Sequence, residues 1–303
     1  MTTPTSATGT PGTPLPITWL YVPGDRPDRF DKAAVSGADV VIIDLEDAVD
    51  AARKDEAREN AVRYLAGRNT GEKPDGPAGP AGPEGPALHV RVNDLATPRG
   101  RDDLAALVGV PGLDALRLPK VDSADDLAAV DEAFGTQPTR AHALIESARG
   151  LANVDAIAAH PRVAGLALGE QDLAAALSIG LETAFDQLRL RVVLAAAAAG
   201  LGPVPMSVYP DVRDRDGLLA SCAHGRGLGM LGRTAIHPRQ IPAIRAAFTP
   251  GPEEITRARE VVDAADRAGI HGVGALALPD GRFVDAPIVT KARGILALAD
   301  RLA

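Results

Sequence analysis

The feature that most constrains this chain is the regular alternation of short apolar segments with longer helical ones. Such an alternation is typical of parallel strands connected by helices. Eight strand–helix units can be counted, which is the number in a TIM (β/α)8 barrel. The composition fits, because hydrophobic residues make up 46% and aromatic residues only 3%, so small aliphatic side chains must build the core. The predicted strands are residues 17–22, 40–45, 88–93, 115–118, 141–146, 163–168, 204–208 and 233–236.

Three segments lie outside the strand–helix units of the predicted barrel, residues 17–250. Residues 1–16 are rich in Thr, Pro and Gly, and we expect a disordered tail, not a signal peptide. Residues 70–87 contain a few Gly-Pro triplets, too few for a triple helix, and we expect a mobile surface insertion. Residues 251–303 add helices and a hairpin around Pro279-Asp280-Gly281. We expect this C-terminal hairpin–helix appendage to pack on a neighbouring subunit.

Charge and cysteine content narrow the class of function. The formal net charge of −8 does not favour nucleic acid as a partner. Cys222 is the single cysteine, so no internal disulfide can form and nothing indicates secretion. No apolar run approaches the roughly 18 residues of a membrane span. We therefore expect a cytoplasmic protein that binds small molecules and neither nucleic acid nor membrane.

Polar residues cluster where the predicted strands end. In TIM barrels the carboxyl ends of the strands form the active face, so this pattern predicts an active site at that rim. The charged residues of the helix predicted at residues 51–66 are instead expected to face solvent. The polar residues at the rim are Asp44, Glu46, Arg91, Asn93, Lys120, Glu146 and Asp172.

Two of these residues predict a metal site. Glu146 and Asp172 follow consecutive predicted strands and would lie side by side, and such hard oxygen ligands suit Mg²⁺. Alternatively, Glu146 caps a helix and Asp172 is a solvated turn residue. The guanidinium of Arg91 suits a substrate carboxylate; the alternative is a salt bridge with Asp44 or Glu46.

The chain resembles the citrate lyase β-subunit-like proteins of the HpcH/HpaI aldolase/citrate lyase superfamily. The matching motifs occur in the family order and span roughly residues 17–300. Two positions depart from the family pattern, Met206-Ser207 where many members have an acid, and Gly232-Arg233 where Gly-x-Lys is common. Both lie near the rim, so the substrate could differ. The matching motifs are residues 21–27, 37–49, 91–93, 118–121, 145–150, 169–173, 236–238 and 284–287.

The resemblance implies a homotrimeric TIM barrel that binds Mg²⁺ and coenzyme A esters. Asp285 matches an aspartate that reaches a neighbouring subunit's site as acid or base, although a plain helix cap would look the same. Arg26 and Lys32 would lie near the coenzyme A phosphates, unless they only belong to a solvated helix. The candidate residues are Asp285, Arg91 and Glu46 for catalysis, Arg91, Asp44, Gly169, Glu170 and Gln171 for substrate, Arg26, Lys32 and Lys120 for coenzyme A, and Glu146 and Asp172 for the metal.

The activity that the resemblance implies is a Mg²⁺-dependent CoA-ester lyase of the citryl-CoA, malyl-CoA or citramalyl-CoA type. Such an enzyme cleaves or forms the carbon–carbon bond between an acetyl-CoA enolate and a 2-oxo acid. Three alternatives remain open at this point. They are a thioesterase acting on 3-hydroxyacyl-CoA dicarboxylates, a pyruvate aldolase that does not use coenzyme A, and a non-catalytic paralogue that binds CoA esters.

Overall fold

The computed structural model describes residues 16–68, 85–267, 275–277 and 281–302. These residues belong to two compact units, one ending at Arg245 and the other beginning at Ala246. The predicted tail, apart from Pro16, lies outside the described residues, as does most of the predicted insertion. The insertion also ends earlier than predicted, because Ala87 is already part of a strand.

The first unit is organised around a parallel sheet, which has seven strands within the described residues. Val40–Asp44 illustrates the burial pattern that is typical of parallel strands. All five of its residues are buried, as expected for a strand covered on both faces. The strands are β1 Thr18–Pro23, β2 Val40–Asp44, β3 Ala87–Arg91, β4 Ala115–Leu118, β5 Arg140–Ile145, β6 Val163–Leu168 and β7 Arg233–Ala235. They lie in the sheet in the order β6-β5-β4-β3-β2-β1-β7.

Helices follow the strands, and polar side chains fix where several of them begin. Thr97, Ser147 and Asp214 each accept a hydrogen bond from a backbone N–H in the first turn, which stabilises the helix start. The α-helices are α1 Phe30–Ala34, α2 Lys54–Arg68, α3 Pro98–Leu107, α4 Ala128–Phe134, α5 Ala148–Ala152, α6 Val154–Ala158, α7 Glu170–Leu177, α8 Glu182–Ala198, α9 Arg215–Gly227, α10 Ile241–Phe248, α11 Pro252–Arg267 and α12 Ala286–Leu302.

The predicted strand at residues 204–208 is wrong as a regular strand. Met206 forms a single parallel bridge with Arg233, with its N–H 2.9 Å from the oxygen of Gly232 and its own oxygen 3.0 Å from the N–H of Thr234. Pro203 and Pro205 both precede Met206 and have no N–H to donate to a ladder. The segment nevertheless lies beside β7, which is the strand of the eighth predicted unit and also pairs with β1. The eighth unit therefore lies between the first and the seventh, as it would in a barrel.

Two other local predictions need correction. Asp172, considered above as a solvated turn residue, lies instead in the first turn of a helix, because α7 begins at Glu170. The charged face of α2 is not all solvated, because Lys54 donates to the buried Asn93 at 2.7 Å and Arg58 to the fully buried Asp103 at 2.7 Å. In α2, tertiary contacts thus determine a result that local sequence does not show.

The second unit contains two long helices and an antiparallel strand pair. Ala275–Ala277 (β8) pairs with Phe283–Asp285 (β9), at the place of the predicted hairpin. The contact of this unit with a neighbouring subunit remains a prediction. Across the described helices, none has both the length and the hydropathy to cross a membrane. The apolar core of the unit consists of Ala258, Val261, Ala265, Val284, Val289 and Ala292.

Candidate active site

The carboxyl ends of β2 and β3 bring Asp44 and Arg91 together. The two residues are opposite each other in the parallel register. Asp44 Oδ1 accepts from Arg91 Nε at 2.8 Å, and Oδ2 accepts from Nη2 at 2.6 Å. Asp44 is 1% exposed and Arg91 9%, so this bidentate pair is buried. Asp44 is therefore committed to holding Arg91 and has little capacity left for a substrate.

The remaining nitrogen of Arg91 faces two further acids. Nη1 lies 3.0 Å from Glu46 Oε2 and 3.1 Å from Asp47 Oδ2, and the guanidinium carbon lies 4.8 Å from the ring centre of Tyr21. Burial opposes the charge of Arg91, but the hydrogen bonds and charge of Asp44 outweigh it and raise its pKa above the ordinary value. The salt bridge considered as an alternative is present. Because Asp47 is exposed, its place on Nη1 is the one that a substrate carboxylate could take.

Lys120 connects Glu46 with Glu146. Its ammonium lies 2.9 Å from Glu46 Oε1, and its backbone N–H donates to Glu146 Oε1 at 2.7 Å. Lys120 has a φ of +53°, a conformation that residues other than glycine rarely adopt. That conformation accompanies the hydrogen bond between the Lys120 backbone and the Glu146 carboxylate.

Glu146 lies among negative charges. Burial, followed by the charge of Glu46 and with a contribution from Asp172, raises its pKa to about 7. Its carboxylate lies against Gly169, where a Cβ would be 2.6 Å from Oε2. A buried carboxyl to which no cationic side chain of the described residues is bound fits a divalent cation, since the cation would offset the charge that burial disfavours. Asp172 is exposed, in the first turn of α7, directly after Gly169 and Glu170.

Glu170 has a different partner from the one predicted. Both of its oxygens accept from Arg189 of α8, at 2.8 Å from Nε and 2.7 Å from Nη2. Its side chain is therefore not free for substrate, whereas Gln171 is exposed. Near this pair, Glu182, Asp186 and His224 could together offer three ligand atoms to a metal. However, Arg189 Nη1 donates to both Glu182 and Asp186, so a guanidinium already supplies the positive charge there.

The remaining candidates are Arg26, Lys32 and Asp285. Arg26 pairs with Asp28 at 3.0 Å, and Lys32 is exposed on α1. Asp285 belongs to the second unit, where its Oδ1 accepts from the N–H of Ile288 at 3.2 Å and caps α12. The capping alternative for Asp285 is thus observed, while its action in another subunit's site remains a prediction.

Sequence reasoning missed Lys54 and Arg189. Lys54 donates to the oxygens of Leu45 and Glu46, at 3.0 and 2.9 Å, and so holds the loop that follows β2. Its position among exposed charges gave no signal for this. Arg189 did give one, because it shares a helix face with Val192 and Ala196, which are buried.

The model of the HpcH/HpaI aldolase/citrate lyase family matches residues 18–238, so the chain belongs to that family. It is 37% identical over 289 residues to a (3S)-malyl-CoA thioesterase of Cereibacter sphaeroides, covering 94% of each chain. It is 34% identical over 316 residues to an L-malyl-CoA/beta-methylmalyl-CoA lyase of the same species, covering 93% of this chain and 94% of the relative.

A solved structure with the same fold is CitE from Mycobacterium tuberculosis in complex with magnesium, acetoacetate and coenzyme A. The TM-score is 0.76 at 34% identity, covering 95% of this chain and 98% of that chain. RipC from Yersinia pestis is also similar, with a TM-score of 0.66 at 34% identity, covering 80% of this chain and 99% of that chain. The similarity to these proteins therefore extends over most of the sequence.

Proposed function

We propose that this chain is a Mg²⁺-dependent CoA-ester lyase that acts on a malyl-CoA-like thioester. The observation that carries the proposal is the placement of three side chains at one edge of the sheet. Glu146 follows β5, Asp172 lies in the first turn of the helix after β6, and the buried Arg91 ends β3. The lyase and thioesterase relatives named above act on malyl-CoA esters, which supports the substrate class. We further propose that the sheet completes a TIM barrel, with the segment around Met206 as the member that follows β6.

Glu146 and Asp172 would hold the Mg²⁺. When bound there, Mg²⁺ polarises the oxygens of a hydroxy or oxo acid and lowers the pKa of a hydroxyl group. Arg91 would orient the carboxylate of that acid through Nη1, while Asp44 keeps the rest of the guanidinium fixed. Gln171 lies in the first turn of α7, where backbone N–H groups have no acceptor within the helix and can bind an anionic oxygen.

Glu46 is proposed as the base of the cleavage. It takes the hydroxyl proton, and the bond between the hydroxyl-bearing carbon and the carbon next to the thioester breaks. The electron pair of that bond forms the thioester enolate, and a proton delivered to the enolate carbon gives acetyl-CoA. The other fragment leaves as a 2-oxo acid. Arg26, Lys32 and Lys120 are proposed to face the coenzyme A phosphates.

A thioesterase is the second candidate, because the relatives at 37% identity carry that activity. A panel of CoA thioesters, incubated with Mg²⁺ and analysed by mass spectrometry, distinguishes the two. A lyase yields acetyl-CoA or a homologue together with a 2-oxo acid, whereas a thioesterase yields free coenzyme A and an intact hydroxy acid. We expect lyase products that disappear when EDTA removes the metal. Binding of the esters without either set of products would instead indicate a non-catalytic protein.

Asp285 is proposed to supply the proton for the enolate in a neighbouring subunit of a homotrimer. Chains with Asp285→Ala and with Glu146→Ala should each be inactive. Mixed under conditions that exchange subunits, they should regain part of the activity, because some sites then combine an intact metal pair with an intact Asp285. If subunit exchange is demonstrated and no activity returns, Asp285 acts within its own chain or only as the cap of α12.

A further inference from the structure

The helix that carries Asp172 is weakly anchored by its own packing. α7 is eight residues long, and within this fully described helix Leu173 is the one buried residue. Gly169 at its start has no side chain to cap the first turn, and Ser178 ends the helix in a left-handed conformation with φ +53°. Its orientation must therefore depend on contacts with the rest of the first unit.

The strongest such contact is the pair between Glu170 and Arg189. Both carboxylate oxygens of Glu170 are bound by the guanidinium, at 2.8 and 2.7 Å, a geometry that fixes direction as well as distance. Arg189 is 2% exposed and lies on the buried face of α8. Its remaining nitrogen, Nη1, donates to Glu182 and Asp186 of the same helix, so the guanidinium cannot turn away from α7.

Asp186 extends this network to a third helix. Its Oδ1 lies 2.8 Å from Nε2 of His224 on α9. Arg189 thus links α7 with α8, and Asp186, which accepts from Arg189, links α8 with α9. Glu146 is held from another element, because its carboxylate accepts from the backbone N–H of Lys120 after β4. The two proposed metal ligands are consequently positioned by different parts of the fold.

We propose that Arg189 is a positioning residue for the Mg²⁺ site. Its two hydrogen bonds to Glu170 fix the start of α7 and thereby determine where Asp172 lies relative to Glu146. This inference rests on the proposed function, in which both carboxylates bind the same ion. Arg189 touches neither carboxylate. Its effect is transmitted through two residues of helix, from Glu170 to Asp172.

The physical reason is the rigidity that a metal site demands. A divalent cation requires its ligands at fixed distances, and residues that orient the ligands typically change metal affinity by roughly 10–100-fold when they are replaced. Without Arg189, the carboxylate of Glu170 would be left partly buried and unpaired, and it would move towards water. The first turn of α7 would move with it, and Asp172 would no longer be held near Glu146.

The test is Mg²⁺ binding measured by calorimetry, at a temperature where circular dichroism shows each variant to be folded. We expect Arg189→Met to weaken Mg²⁺ binding by about 10–100-fold and to increase hydrogen exchange in residues 170–177. Arg189→Lys keeps the charge but not the two-pronged geometry, so its affinity should lie between those of the wild type and Arg189→Met. Arg191→Met is the matched control, since Arg191 lies on the same helix in an exposed pair with Asp155. This variant should bind Mg²⁺ as tightly as the wild type.

A second variant separates positioning from folding. Glu170→Gln leaves Arg189 with Glu182 and Asp186, so the melting temperature should change little, yet Mg²⁺ affinity should fall because the bidentate pair is lost. This variant also carries the test if Arg189→Met does not fold. Folded Glu170→Gln and Arg189→Lys proteins that bind Mg²⁺ as tightly as the wild type would overturn the inference. Failure of the wild type itself to bind Mg²⁺ would overturn the proposed function, and this inference with it.

Discussion

Each acidic residue of the site has a separate task, and those tasks explain why so many acids lie together. Asp44 is bound to Arg91, and Glu46 lies between Arg91 and Lys120. Glu146 accepts a backbone hydrogen bond and, in the part of the chain that the structure describes, is paired with no cationic side chain; its pKa is raised to about 7 by burial and by the neighbouring acids. It is therefore the carboxyl that gains most from a bound cation.

Gly169 permits this arrangement, because it leaves space for the carboxylate of Glu146. A Cβ at this position would lie 2.5 Å from the Cβ of Glu146 and 2.6 Å from Oε2. We expect Gly169→Ala to displace the carboxylate and to weaken Mg²⁺ binding by at least tenfold in calorimetry, as loss of ligand orientation does elsewhere. Gly180→Ala is the control, because a Cβ there would have no neighbouring atom within 4 Å. Equal Mg²⁺ affinity of the two variants would show that Glu146 tolerates the added methyl group.

At the scale of the elements, the strands of the sheet were predictable and the contacts between helices were not. Runs such as Val40–Asp44 identify buried parallel strands, and the alternation of side chains places Asp44 and Glu46 on one face. The segment at 204–208 shows the limit of this reasoning. Its apolar residues resemble a strand, but the prolines beside Met206 prevent a regular ladder.

The candidate site was predicted in its strand-end residues and missed in those that hold them. Whether Arg91 pairs with Asp44 depends on the register of β2 against β3, which one sequence does not reveal. Glu170 was predicted to bind substrate, and nothing in the local sequence indicates its partner on α8, 19 positions away. Lys54 likewise reaches the site only because its side chain extends across the loop after β2.

At the scale of the whole molecule, the sheet of the first unit brings together three basic side chains, of which two are buried and His142 is half-buried. His89 on β3, Arg117 on β4 and His142 on β5 belong to neighbouring strands, and the two imidazole centres lie 4.9 Å apart. Arg117 Nε lies 3.4 Å from His89 Nδ1, and the guanidinium carbon of Arg117 lies 5.9 Å from the ring centre of Trp19. Burial, which removes solvation, lowers the pKa of Arg117 to about 10. Such a cluster is stable only while both imidazoles stay neutral.

This cluster makes the stability of the fold depend on pH. Burial above all, with a contribution from the charge of Arg117 to each, holds the pKa of both His89 and His142 well below the ordinary value of 6.5. In the unfolded chain both histidines titrate near 6.5, so below that pH the unfolded state binds more protons than the native state. Their contribution to stability is therefore complete above pH 6.5 and is lost as the pH falls, by about 1.4 kcal/mol per pH unit for each histidine.

The raised pKa of Glu146 has the opposite sign, because between its native pKa of about 7 and the ordinary carboxyl value the native state binds the extra proton. The informative quantity is thus the difference between the wild type and His142→Gln, followed by urea unfolding between pH 7.5 and pH 5.0. Below pH 6.5, the free energy of unfolding of the wild type should fall more steeply than that of the variant, by about 1.4 kcal/mol per pH unit. At pH 7.5 the variant should be the less stable protein, because an amide replaces a packed ring beside Gly165. Parallel pH profiles for the two proteins would mean that His142 accepts a proton in the native state and that the buried cluster is not what limits stability in acid.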